Sequence, residues 1–264
     1  MNEFWQKQEP GQPLFPNIVW NKPEQKSLAG KMLILGGNLH GFNAPGMAYT
    51  LALQAGAGEC KVVMPTATRK FFGKTPPGNI EFVASTPSGS FGTKAKDEIL
   101  SYASWADAIL MAGDTGRNSE TAILLEGLTT LNIKTIYTKD CVDLLANNPE
   151  TLLGSDKHLI VASYAQLQKL AVNSKFSSAF TFNLQIAEIV KRLSEYTKTI
   201  KSGLITEHKG VVYFALSGKV ITTSFGEEPN TWRLKIASSA SVWWMQNPQQ
   251  PFEAIASAIC LTKI

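Results

Sequence analysis

Short apolar segments alternate with helical segments of roughly ten residues through most of the chain, and this rhythm constrains the fold more than any other feature. The apolar runs do not alternate with polar residues, as expected for strands that are covered by helices on both faces. The rhythm predicts a three-layer α/β/α domain around a mostly parallel sheet. The predicted strands are residues 32–35, 60–64, 80–84, 108–111, 133–137 and 158–161, followed by 204–206, 211–216 and 219–223.

The predicted helices are amphipathic or apolar segments between and after these strands. The longest, residues 182–197, carries one apolar stripe at spacings of three and four. The other main predicted helices are residues 44–55, 94–104, 120–131, 142–146, 234–245 and 252–261. Ser217 and Gly218 form a two-residue hairpin turn between the last two strands. The pattern therefore predicts an antiparallel edge near residues 204–223.

The N-terminal segment differs from the rest of the chain in composition. Residues 1–30 contain four prolines and little periodicity, which predicts an irregular arm laid on the domain. The remaining residues, 31–264, show no linker and no internal repeat, so they are predicted to form a single domain.

Charge and cysteine content exclude several classes of function. The net charge of +4 is mild and has no long runs, which argues against nucleic-acid binding. No apolar stretch reaches the roughly 18 residues that span a bilayer. Cys60, Cys141 and Cys260 are scattered and odd in number, so we expect free thiols in a reducing cytoplasm and no metal site.

Self-association is also expected. Charged residues make up only 17% of the chain, and Trp243 and Trp244 stand side by side in the penultimate helix. Aromatic residues are enriched at subunit interfaces, although such a pair also suits a core. The composition predicts a homo-oligomer.

Two predicted strand ends are rich in glycine, and ligands bind outside the carboxyl ends of strands in open α/β sheets. The first is Gly36-Gly37, followed by Gly41 and a helix that starts near Ala44. Glycines allow a close approach of the backbone to a ligand, and a helix start offers N–H groups to an anion. An ordinary tight turn explains the same residues equally well.

The second glycine-rich end contains Gly113, Asp114, Gly116 and Arg117. Asp114 suits a cation or a ribose hydroxyl, and Arg117 suits a phosphate. The simpler interpretation is slightly favoured: Asp114 or Asn118 caps the next helix.

Two further positions are candidates with weaker support. Asp140 and Asp143 follow the strand at 133–137, where acids suit a helix start without any function. Lys209-Gly210 lies between two late strands, where it can support a phosphate.

Four segments in order resemble the ADP/ATP-dependent NAD(P)H-hydrate dehydratases, the YjeF C-terminal-domain type within the ribokinase-like superfamily. The segments are KMLILGGN, LALQAGAGECKVVMP, ADAILMAGDTGRN and TIYTKDCVDLLA. In that family 17 residues separate a Gly-Gly pair from Ala-Gly-Ala-Gly, and here residues 38–54 give the same separation. The resemblance runs from about residue 26 onwards and is closest in the first half.

The resemblance implies a ribokinase-like fold, a lyase activity, and ATP or ADP with Mg²⁺ as cofactors. It places Ala44 and Gly116 near a nicotinamide substrate and Lys209-Gly210 near the adenine nucleotide. It also aligns Asp140 with the second acid of an Asp-Ala-Asp-Ala-Leu segment.

The chain departs from the family at the centre of its chemistry. Counting back from the closing Pro-Phe-Glu-Ala, the family's Gly-Thr-Gly-Asp falls on Trp232, Arg233, Leu234 and Lys235. The glycines supply a backbone nest for phosphate, and the aspartate is the implied base. The family's Thr-Pro-His-Pro-Gly-Glu loop falls on residues 161–166, and none of its residues is kept.

Three hypotheses about function follow. The favoured one is a catalytically degenerate member, a pseudoenzyme with Lys235 at the position of the base and at most weak binding of an adenine nucleotide or NAD(P)H-like ligand. The second is an active dehydratase or small-molecule, carbohydrate kinase-like enzyme that uses a displaced acid, Asp140 or Asp114. The third is a structural, homo-oligomeric interaction protein.

Overall fold

The computed structural model describes residues 4–226 and 231–263 of the chain. Its strands are Trp5–Gln8 (β1), Lys31–Gly36 (β2), Glu59–Pro65 (β3), Ile80–Val83 (β4), Ala108–Gly113 (β5), Lys134–Thr138 (β6), His158–Ser163 (β7), Gly203–His208 (β8), Val211–Leu216 (β9) and Lys219–Ser224 (β10). Its α-helices are Pro16–Trp20 (α1), Asn43–Gln54 (α2), Lys96–Trp105 (α3), Ser119–Leu128 (α4), Asp140–Leu145 (α5), Pro149–Leu153 (α6), Tyr164–Asn173 (α7), Ile186–Thr199 (α8), Trp232–Gln246 (α9) and Pro251–Leu261 (α10).

The described strands form one sheet in the order β1-β10-β9-β8-β7-β6-β5-β2-β3-β4. Within this sheet, the section β8-β7-β6-β5-β2-β3-β4 contains parallel pairs throughout. The two pairs β8–β9 and β9–β10 are antiparallel. The mostly parallel sheet and its late antiparallel section are therefore confirmed.

Helices cover both faces of the sheet. Successive residues of a strand point to opposite faces, so Met32 and Ile34 join one apolar cluster, and Leu33 and Leu35 join the other. Helices α2, α9 and α10 pack on the first face, and α5, α7 and α8 pack on the second. This arrangement confirms the three-layer architecture.

The N-terminal segment contributes to the sheet. Residues 5–8 form β1, which pairs parallel with β10 and is therefore the edge strand next to the antiparallel hairpin. The prolines that predict an irregular arm lie after this strand, from Pro10 onwards. The division into an arm of residues 1–30 and a domain of residues 31–264 stays a prediction.

Four helices differ from the sequence-based expectation, and the first is α1, which lies within the segment predicted to be irregular. Helix α7 was not predicted, although Ser163 and Gln166 form a capping box at its start. Helix α6 was also not predicted. The predicted helix at 182–197 begins only at Ile186, and Phe182 lies outside it with an exposed ring.

Trp243 and Trp244 are core residues of the single chain. They are only 4% and 5% exposed, on the face of the sheet that α9 covers. The pair therefore gives no support for an interface, and self-association stays a prediction that depends on the low charged fraction and on the family resemblance.

In the described ranges, no helix is long and apolar enough to cross a membrane. All three cysteines are buried, and burial raises the pKa of the Cys60 thiol to about 12. No group of three or more histidine, cysteine or acidic side chains with metal-binding geometry occurs among the described residues.

Candidate functional site

The sheet has its topological switch point between β2 and β5. The chain proceeds from β2 to β3 and β4 on one side, and from β5 to β6, β7 and β8 on the other. In open α/β sheets the crevice outside such a point is the usual ligand site. The two glycine-rich strand ends predicted from the sequence lie there side by side.

The two strand ends touch through their backbones. The Gly37 N–H donates to the Gly113 carbonyl oxygen at 3.0 Å. A Cβ atom on Gly36 would lie only 2.6 Å from that same oxygen. Glycine is therefore required at residue 36 for this contact, which fixes the two loops relative to each other.

Asp114 links residues 113–117 at the end of β5, the β5 loop, to two neighbours. Its Oδ2 accepts a hydrogen bond from the Ala44 N–H in the first turn of α2, at 2.8 Å. Its Oδ1 forms an ion pair with Lys139 Nζ at 2.5 Å. The prediction that Asp114 or Asn118 caps the next helix is confirmed for Asn118, which caps α4, and is wrong for the favoured Asp114, which instead accepts from the start of α2. Asp114 has a positive φ of 56°.

Asp140 holds the same loop from the opposite side. Its Oδ2 accepts hydrogen bonds from the Thr115 hydroxyl at 3.0 Å and from the Gly116 N–H at 2.9 Å. Its Oδ1 is buried and has no hydrogen-bond partner among the described residues. The neighbouring Cys141 is fully buried, and this burial raises the pKa of its thiol. Through its hydrogen bonds to Thr115 and Gly116, Asp140 stabilises the β5 loop.

Lys139 and Gln166 were missed by the sequence reasoning. Lys139 has a positive φ of 55°, a strained conformation that turns it toward Asp114. Gln166 Nε2 donates to the Lys139 carbonyl oxygen at 2.7 Å and to Asp143 Oδ2 at 2.8 Å. Its Oε1 accepts a hydrogen bond from Arg233 at 3.3 Å. The capping box at 163–166 was the one sequence signal that pointed to Gln166.

The first turn of α9 is joined to Gln166 by the hydrogen bond that Arg233 donates. The helix starts at Trp232, as the alignment with the family's motif predicts. Trp232 and Leu234 are 4% and 5% exposed, and both side chains belong to the apolar core. The turn contains Arg233 and Lys235 and no acidic residue. Glu227 and Glu228, the nearest acids in the sequence, lie outside the described residues.

A small cavity separates α9 from α2. It has a volume of about 90 Å³, and its lining includes Ala44, Lys139, Arg233 and Leu234. Both charged side chains among the described lining residues are cationic. Ligand pockets usually enclose about 300–1,000 Å³, so this cavity has room for one compact anionic group.

Comparisons with known proteins agree with the architecture. A ribokinase-like superfamily protein from Enterococcus faecalis superposes with a TM-score of 0.68 at 14% identity, covering 98% of this chain and 86% of that one. The chain has a ribokinase-like fold. The ADP/ATP-dependent NAD(P)H-hydrate dehydratase from Bacillus subtilis, co-crystallised with ATP/Mg²⁺, superposes with a TM-score of 0.56 at 12% identity, covering 94% and 86%.

One sequence relative extends this likeness. The bifunctional NAD(P)H-hydrate repair enzyme Nnr from Methanothermobacter thermautotrophicus is 36% identical over 93 residues. The match covers 35% of this chain and 18% of that enzyme. No protein-family model matches the chain. The resemblance to the dehydratases that the motifs indicate is thus confirmed.

Within this ribokinase-like fold, Ala44 lines the cavity, whereas Gly116 is not among the lining residues and donates its N–H to Asp140. Gly116 has φ +80°, and a Cβ atom there would lie 2.7 Å from Ser90 Oγ. The β5 loop therefore depends on a glycine at this position. The roles of Ala44 and Gly116 toward a substrate stay predictions.

Lys209 and Gly210 lie apart from the cavity. They form the turn between β8 and β9, three strands from β5, which corresponds to roughly 14 Å across the sheet. The Gly210 N–H already donates to Glu207 Oε1 at 2.7 Å, whereas the Lys209 side chain is exposed. Of the Lys209 ammonium and the Gly210 N–H, only the exposed ammonium is therefore suited to bind a phosphate.

Proposed function

We propose that this ribokinase-like protein is a degenerate relative of the NAD(P)H-hydrate dehydratases, without phosphoryl transfer and with at most weak binding of an adenine nucleotide. The observation that carries the proposal is the first turn of α9. Its two apolar side chains are anchored in the core, and its two polar ones are cations.

This turn lacks the chemistry of a Gly-Thr-Gly-Asp motif in two respects. A glycine-rich helix start presents bare N–H groups to a transferred phosphate, but here Leu234 adds a bulky side chain to the cavity lining and Trp232 fixes the turn in the core. An aspartate accepts the proton of a reacting hydroxyl, whereas a lysine ammonium has three donors and no acceptor. Lys235 therefore does not take over the role of the base.

The displaced-acid alternative has little support in the geometry. Asp114 uses one carboxylate oxygen for Lys139 and the other for the Ala44 N–H. Asp140 uses one oxygen for the β5 loop, and its other oxygen is buried. Neither acid is among the residues that line the cavity. Both stabilise the loop and leave no oxygen presented to a substrate.

The fit of ATP or ADP with Mg²⁺ is partial. Lys139 and Arg233 line the cavity, and their charges suit a phosphate group. The described residues offer no cluster of acidic ligands for the metal, so Mg²⁺ would be held chiefly through the phosphates. This arrangement is the reason for expecting weak binding.

The experiment is an assay of NADH recovery from NADH hydrate, by absorbance, with ATP or ADP and Mg²⁺. The unchanged protein is expected to show no appreciable turnover. Losing a general base typically costs about 10²–10⁴-fold, and losing one preorganised donor costs about 10²–10³-fold. Because both losses affect one transfer step, they need not multiply in full.

Two variants make the assay decisive. Combining Trp232→Gly, Arg233→Thr, Leu234→Gly and Lys235→Asp restores the motif, and activity gained only there supports the degenerate reading. Turnover of about one per second by the unchanged protein, near ordinary enzymes, contradicts it. If Asp114→Asn or Asp140→Asn then abolishes that turnover, the displaced-acid hypothesis replaces the proposal.

Nucleotide binding distinguishes the proposal from a purely structural role. Calorimetric titration with ADP and Mg²⁺ is expected to give a weak signal that Lys209→Ala or Lys139→Met reduces. A complete absence of binding favours the third hypothesis, a structural, homo-oligomeric interaction protein. Light scattering on the same samples tests the self-association.

A further inference from the structure

A second cavity lies at the opposite edge of the sheet from the candidate site. It has a volume of about 320 Å³ and opens at the amino ends of β6, β7 and β8, next to the start of α10. A six-residue strand spans about 20 Å, so this cavity is separate from the one beside α9. Its volume lies within the range of small-molecule pockets.

Three lysines line this cavity: Lys134, Lys157 and Lys201. None of them has a carboxylate within 4.0 Å in the described part of the chain, where the Lys139–Asp114 pair is the one such contact. Asp156, which is exposed, also lines the cavity, so cations outnumber anions there by three to one. Asp107, outside the lining, acts on Lys134 with its negative charge, so the positive charge of the three lysines is only partly neutralised.

The position of Lys134 reinforces this imbalance. The side chain is half-buried, and its burial, followed by the proximity of Lys157, lowers its pKa. Two like charges near each other in a partly dehydrated cavity disfavour the charged form. An anion placed between them would relieve the repulsion.

The opposite wall of the cavity is apolar. It is formed by Trp244, Pro248, Pro251 and Ile255. The indole of Trp244 is almost fully buried in the core, so this wall is held rigidly. Rigid apolar walls with a few charged groups are the usual composition of a small-molecule site.

We propose that this cavity binds a small phosphate ester of an aromatic or apolar group, with the phosphate on the three lysines and the apolar group against the wall of Trp244. Lysine ammonium groups bind phosphate as compact positive charges. This site is independent of the proposed function, because it shares no residue with the cavity beside α9.

The test is calorimetric titration of the full chain with phenyl phosphate, compared with phenol and inorganic phosphate. Phenyl phosphate is expected to bind more tightly than either fragment. The double variant Lys157→Gln with Lys201→Gln is expected to weaken its binding about tenfold, which corresponds to about 1.4 kcal/mol. The matched control, Lys94→Gln with Lys191→Gln, removes the same charge from exposed positions outside the cavity and is expected to change the affinity less than about twofold.

Three results would overturn the proposal. They are no detectable binding of phenyl phosphate, equally tight binding of phenol, and unchanged binding by the cavity variant. Binding that is lost in Lys139→Met but kept in the cavity variant assigns the phosphate to the α9 site and also overturns it. If the double variant does not fold, Lys201→Gln alone gives the same comparison, because Lys201 is exposed.

Discussion

The β5 loop and the first turn of α9 are linked through Lys139, which pairs with Asp114 of the loop and lines the cavity beside α9, but they are built differently. The loop consists of backbone in unusual conformations, with positive φ at Gly113, Asp114 and Gly116. Hydrogen bonds that Asp114 accepts from the Ala44 N–H and Asp140 accepts from the Gly116 N–H hold it in place. The α9 turn is regular helix, and apolar side chains anchor it in the core.

Under the proposed function, this difference separates the scaffold of a binding site from its chemistry. The loop has the tight, glycine-dependent geometry that can bring a backbone close to a ligand. On the α9 side, packing occupies the positions at which a phosphate nest would need bare N–H groups. Stability measurements on the two sides test whether one is held by packing and the other by backbone geometry.

The largest effect is expected at Trp232. Trp232→Ala should lower the free energy of unfolding by about 3–5 kcal/mol, because it removes a large side chain from the core. Denaturant unfolding measures this change. Trp20→Ala is the matched control, since Trp20 is 85% exposed and its loss should cost less than about 0.5 kcal/mol. Equal effects of the two substitutions would mean that packing does not anchor the α9 turn.

The next effect is expected at Gly113. Its φ is +93°, and a Cβ atom there would lie 2.6 Å from the Cβ of Lys139. Gly113→Ala should therefore destabilise the protein by about 2 kcal/mol or more.

The control variant for Gly113→Ala is expected to change the free energy of unfolding in the opposite direction. Gly46 lies inside α2, and a Cβ atom there would meet nothing within 4 Å, so Gly46→Ala should stabilise by about 0.5–1 kcal/mol. Thermal unfolding of both variants gives the comparison. A neutral Gly113→Ala would show that the loop does not depend on its backbone geometry.

The smallest effect is expected for the Asp114–Lys139 pair. Its side chains are 21% and 32% exposed, so solvent screens part of the attraction. A double-mutant cycle with Asp114→Asn and Lys139→Met should give a coupling free energy of about 0.5–1 kcal/mol, falling as salt is added. A coupling that is absent at low salt would leave the hydrogen bonds as the sole support of the loop.

Local sequence patterns determined the fold class and the position of the crevice. Continuous apolar runs and helical periodicity depend on nearby residues, so they predicted β2 to β10 and the start of the last two helices. Glycine at the strand ends predicted the two loops of the switch point, because positive φ values and close backbone approach favour that residue. The local pattern predicted a start at residue 234 for α9, and the start at Trp232 followed from the alignment with the family's motif.

Contacts between distant segments were decided only by the tertiary structure. Whether Asp114 caps α2 or α4 depends on which helix start lies nearer in space, since both need an acceptor for their first N–H groups. Trp243 and Trp244 suit a core or an interface equally well until the sheet and α10 are placed around them. The partnership of β1 with β10, 217 residues apart at Trp5 and Thr222, leaves no local pattern, because strand pairing is set by the shape of the whole sheet.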